Sequence, residues 1–237
     1  MKNRNLKKIF TIIGLVAIGL YLLGIIVTTS INIISNIHVI GYPILSNLWT
    51  MTKSIIIYGF MCAFLIYELA KKSDKHDKVL NIILFVSFCI LALSSLISIF
   101  KTIGVIVKAI KYLNGLSIIT YIISILSNIL RIGLFALFGI NIMELIMNKN
   151  KASKIFTFII WGLLVLIFSN SLVSTIISLI GKLNVGLILV NLGSLFNGFT
   201  LAVFQACLAF VIYKKLNDSN SSTKKSDNSK KSNKKTT

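Results

Sequence analysis

The sequence predicts an all-helical polytopic membrane protein, with about six transmembrane helices in three tandem helical hairpins, an amphipathic outer interfacial helix and a disordered basic C-terminal tail. Three observations carry this prediction. First, 56% of the 237 residues are hydrophobic and the mean hydropathy is +0.89, whereas a soluble domain holds roughly 45–50% apolar residues. The apolar residues do not alternate as lipid-facing barrel strands require. They form continuous runs of about 20 residues, enough to cross about 30 Å of hydrocarbon as helix. Second, the net charge of +19 comes from lysines at the ends of the apolar runs and in the tail, which is how membrane orientation is encoded. Third, the chain echoes itself. Ile66, Glu68, Leu69, Lys75 and Lys78 recur 76 positions on as Ile142, Glu144, Leu145, Lys151 and Lys154. Lys8-Ile9-Phe10-Thr11 returns as Lys154-Ile155-Phe156-Thr157, and Ala63 to Tyr67 resembles Ala209 to Tyr213. Hairpin units of about 1–70, 71–147 and 148–213 follow, with a tail over 214–237.

The first helix runs from Ile9 to about Ser30, behind Lys2, Arg4, Lys7 and Lys8. Its apolar run is too long for a signal-peptide core, so it stays as a helix. Gly14, Ala17, Gly24, Thr28 and Asn32 recur along one side, a face suited to close helix packing. Residues 31–53 read as an outer connection, holding the only proline, Pro43, with Tyr42 and Trp49 as interface anchors. Ser54 to Ala70 is the second helix, whose exit is marked by Lys71, Lys72, Lys75 and Lys78. Val79 to Phe100 is the third, with Ser87, Ser94 and Ser98 at helical spacing.

Between Lys101 and Gly115, Ile103, Ile106, Val107, Ile110 and Leu113 share one face, and Lys101, Lys108 and Lys111 lie off it. This is the expected interfacial helix. Leu116 to Met147 is the fourth helix, long enough to tilt or project. Ile155 to Ile180 is the fifth. The sixth, about Leu187 to Tyr213, carries Asn191, Ser194, Gly198, Ala202, Gln205 and Ala209 as a small and polar seam. The tail holds eight lysines and, after Tyr213, a single apolar residue, Leu216; it is expected to stay disordered.

Of the 25 Lys and Arg residues, 19 fall in segments assigned to one side, which makes both termini cytoplasmic in a cell-membrane protein. Arg131 alone stands inside a long apolar run. Two readings apply: an outer-edge side chain reaching for headgroups, or a substrate- or anion-binding group. Glu68 and Glu144 hold equivalent positions near the cytoplasmic helix ends. Either they cap the interface, Glu68 with Lys71 and Lys72 and Glu144 with Asn141 and Asn148, or they form a paired-carboxylate ion or proton site. Asn191, Ser194 and Gln205 are the pathway or packing candidates on the sixth helix.

Two histidines, His38 and His76, and three cysteines inside apolar runs, Cys62, Cys89 and Cys207, supply no metal spacing and no catalytic constellation. No phosphate-binding glycine loop occurs. The expectation is therefore a protein without cofactor, metal or chemical catalysis. Two function classes remain. One is a small permease or the membrane subunit of a transport complex, its ATPase a separate chain. The other is an accessory protein, protective or regulatory, that packs against another membrane protein. The expected partners are the lipid bilayer and, for the basic tail, anionic lipids, with no specific nucleic acid.

Overall fold

The computed structural model describes residues 2–38, 44–70, 77–109, 115–147, 153–181 and 185–233. Over them the chain forms six helices and no strand: α1 (Lys2–Asn36), α2 (Ile44–Ala70), α3 (Asp77–Ala109), α4 (Gly115–Ile146), α5 (Ser153–Gly181) and α6 (Val185–Asn233). Each contains a stretch long and apolar enough to span a bilayer. Helix is the outcome physics demands of such runs, because a lone segment in hydrocarbon satisfies its backbone N–H and C=O groups only along its own axis.

The helices close into a ring. Each packs on the next in sequence, α6 returns to α1, and α4 also reaches α6 across the middle. The α1–α6 contact is the most extensive and depends on small residues. A Cβ on Gly24 would stand 1.8 Å from Asn197 Oδ1, one on Gly193 2.6 Å from Thr28 Cγ2, and one on Gly14 3.1 Å from Cys207 Cβ. Backbones this close are what glycine permits in membranes, where dispersion and not water exclusion joins helices.

At least one polar bond joins every neighbouring pair around the ring. Lys7 Nζ donates to Glu68 Oε2 at 2.7 Å between α1 and α2, and Lys53 Nζ to Ser94 Oγ at 2.6 Å between α2 and α3. Asn128 Nδ2 donates to Ser98 Oγ at 3.3 Å, linking α3 to α4, and Asn170 Nδ2 to Ser127 Oγ at 2.9 Å, linking α4 to α5. Trp161 Nε1 donates to the Ala206 carbonyl at 3.3 Å, and Asn197 Nδ2 to Thr28 Oγ1 at 3.2 Å, which ties α5 to α6 and α6 to α1.

Several expected boundaries move. α1 continues to Asn36 and α2 starts at Ile44, so much of the expected outer connection is helix. Its polar side chains bond along their own helices: Asn36 Nδ2 donates to the Asn32 carbonyl at 2.8 Å and Thr50 Oγ1 to that of Ser46 at 2.8 Å. Such bonds let polar turns extend past the hydrocarbon without orphaned groups. Lys101 to Ala109 is no separate interfacial helix but the end of α3; its amphipathic pattern continues the α3 register without a breaker. The rest of that stretch, 110–114, lies outside the described residues. The tail boundary shifts as well. Lys215 and Leu216 are buried in the bundle, and α6 keeps a helical backbone to Asn233 over a sequence that lacks apolar residues after Leu216.

Candidate functional site

The two ends of the ring differ in chemistry. The end that carries the start of α1 holds a buried ionic hub. The Glu68 carboxylate is fully buried, with Lys7 Nζ on one oxygen and Lys215 Nζ on the other. Lys215 Nζ also lies 3.4 Å from Asp77 Oδ1 and 3.5 Å from Asn81 Oδ1, and 5.1 Å from the Phe64 ring centroid. The Glu68 carboxylate thus joins α2 to α1 and α6, and Lys215 extends the hub to α3. A charge at this depth persists only when it is paired and hydrogen-bonded.

Above the hub the bundle is closely packed. Ile18, Met61, Phe64, Leu65, Phe138, Phe204 and Leu208 are all essentially inaccessible, and Phe88 stacks on Phe138 with centroids 4.5 Å apart. These side chains plug the centre of the ring.

Beyond the plug, toward the other end, the helices part around a cavity of about 480 Å³ to which all six contribute. Its floor lies at the level of Tyr21, Tyr58, Leu134 and Gln205; Tyr21 and Tyr58 meet edge to face with centroids 4.9 Å apart. Its wall carries Thr50, Ser54, Ser94, Ser95, Ser98, Asn128, Ser171, Ser194 and Asn197, interrupted by Leu91, Ile167, Phe168 and Leu201. Two cations, Lys53 and Arg131, face the space. No carboxylate lines it among the described residues. A concave site of this volume, apolar at base with convergent polar groups, has the build of a ligand site.

The predicted site residues divide between these features. Arg131, Ser194 and Gln205 line the cavity, with Arg131 exposed at it. Asn191 is not among the lining residues, and its Nδ2 is buried without a hydrogen bond. Glu68 belongs to the hub. Its partners there are lysines of other helices, where the sequence suggests Lys71 and Lys72, which lie outside the described residues. Glu144 has a buried Oε2 with no hydrogen bond, as does Asn141 at Oδ1; Asn148 lies outside the described residues. A paired-carboxylate site finds no support, since Glu68 is committed to Lys7 and Lys215.

Sequence reasoning missed Lys53, Tyr21, Tyr58 and Asn128 in the cavity and Lys7, Asp77, Asn81 and Lys215 in the hub. A signal existed for two of them. Lys53 is the one charged residue in the polar first turns of α2, and Lys215 directly precedes the last apolar residue of the chain. Comparison with protein-family models, with curated proteins and with solved structures finds no match.

Proposed function

We propose that the protein is a small permease, or the membrane subunit of a transport complex, whose substrate site is the six-helix cavity. The observation that supports this reading is the pairing of a polar cavity on one side with a plug and an ion-paired hub on the other. A protein that only packs against a partner has no need of a polar hole at its centre. Sites near mid-membrane, closed on one side at a time, are how transporters hold substrate. With the lysine-rich ends cytoplasmic, the cavity faces outward, and inward release requires the plug around Met61, Phe64 and Phe138 to part. The lining offers hydroxyls, amides, phenols and two cations but no carboxylate or imidazole base among the described residues, so the reading is passage without chemistry.

The test is flux. Proteoliposomes loaded with an isotope-labelled extract of small metabolites are expected to release at least one solute faster than empty liposomes. Gln205→Leu, at the cavity floor, is expected to return that release to the empty-liposome rate while the protein stays folded and inserted. Release no faster than from empty liposomes for every solute overturns the proposal. Equal loss of stability and flux in Gln205→Leu assigns the residue to packing.

A further inference from the structure

We infer that the cavity takes an anion: a carboxylate or phosphate group carried on a small, partly apolar body. The inference rests on the reading of the cavity as a binding site and adds its ligand class. Arg131 and Lys53 both face the space, and neither has a carboxylate partner among the described residues. A cation inside a membrane bundle is expensive unless water or a counter-charge meets it. Elsewhere in the same bundle the chain meets that cost with a counter-charge, as Lys7 and Lys215 do with Glu68. In the cavity it supplies none. The nearest acid along α2, Glu68, stands ten residues beyond Tyr58, about 15 Å of helix, behind the plug.

The remaining geometry suits an anion as well. Lys53 gives one donor to Ser94 Oγ at 2.6 Å and has two others, since an ammonium carries three. The guanidinium of Arg131 is a planar fork of donors matched to carboxylate and phosphate oxygens. Ser194 adds a hydroxyl to the wall, those of Thr50 and Ser54 being given to the Ser46 and Thr50 carbonyls, while Leu134, Phe135 and Leu164 near the floor offer an apolar seat. A lipid headgroup and a free solute share this anionic chemistry, so the experiment separates them.

The full chain, with Cys62, Cys89 and Cys207 replaced by alanine and Ser194→Cys as reporter, is reconstituted in phosphatidylcholine liposomes. Its labelling rates are measured with anionic sulfonatoethyl methanethiosulfonate and cationic trimethylammonioethyl methanethiosulfonate, each normalised to its rate with a free thiol. The anionic reagent is expected to be favoured by about tenfold or more, as a cleft of one sign concentrates its counter-ion. The preference is expected to fall toward one when Arg131→Gln and Lys53→Gln are added. Equal normalised rates, or a preference unmoved by the two glutamines, overturn the anion inference and leave the cavity standing. Failure of both reagents to reach the cysteine overturns the cavity reading together with it. Protection of the cysteine by added benzoate or inorganic phosphate, with none from benzamide, identifies a soluble anion. Protection that appears only when phosphatidylglycerol is added to the bilayer identifies a headgroup. Absence of protection in every case overturns the inference.

Discussion

At the scale of single residues, burial and pairing decide what a charge does. Glu68 and Glu144 occupy matching places in the sequence echo, yet one is the centre of a four-helix hub and the other buries a carboxylate oxygen without a hydrogen bond. The difference was not legible locally, because the partners of Glu68 come from 61 and 147 positions away. Removing one member of a buried ionic cluster strands the others, at about 3–5 kcal/mol. Glu68→Gln is therefore expected to lower the unfolding free energy in mixed micelles by that order. Ending the chain after Tyr213, which removes Lys215, is expected to act in the same direction, whereas ending it after Asn217 spares the hub and is expected to leave stability unchanged. Glu144→Gln relieves an unsatisfied carboxylate and is expected to be neutral or stabilising. Equal losses for Glu68→Gln and Glu144→Gln would show that the hub does not hold the bundle.

Among elements, the α1–α6 contact closes the ring and is the one the sequence described best. Gly14, Gly24 and Thr28 were legible as a packing face from their spacing, and they do meet α6. The partner face was only half legible. On α6 the visible polar seam of Ser194, Gly198, Ala202 and Gln205 turns to the cavity, while Gly193 and Asn197, one residue off it, take the contact with α1, Asn197 reaching the cavity wall as well. Periodicity shows that a helix has a distinct face but not which neighbour that face will meet. Gly24→Ala is expected to cost about 1–3 kcal/mol as overpacking, because its Cβ falls on Asn197 Oδ1 and turning that amide away breaks its bond to Thr28. Adding Asn197→Ala is expected to recover part of the loss, and Gly19→Ala, with nothing within 4 Å of its Cβ, is expected to be silent in the same melting experiment. A Gly19→Ala loss as large as that of Gly24→Ala would point to helix flexibility rather than contact.

For the whole molecule, the echo in the sequence and the cavity coincide. Tyr21, Leu91 and Ile167 are separated by the offsets that align the three units, as are Ile25, Ser95 and Ser171, and all six line the cavity. The odd helices thus bring these positions to one cavity. Membrane class and helix number were legible because apolar run length is set by bilayer thickness. The cavity itself was not, since it is defined by side chains that fail to fill the space between helices. Its direction rests on the lysine asymmetry. Orientation predicts that single cysteines at Asn5 and Ser219, in the chain freed of its own cysteines, resist an impermeant thiol reagent in intact cells, and that one at Ser46 reacts. Ser46 lies in the first turn of α2, at the end of the bundle toward which the cavity extends, whereas Asn5 and Ser219 flank the hub. On the proposed orientation the same asymmetry sets both the side of the termini and the side from which substrate would enter. Labelling at Asn5 or Ser219 with protection at Ser46 would invert the protein, turn the cavity toward the cytoplasm and convert the proposed entry site into an exit.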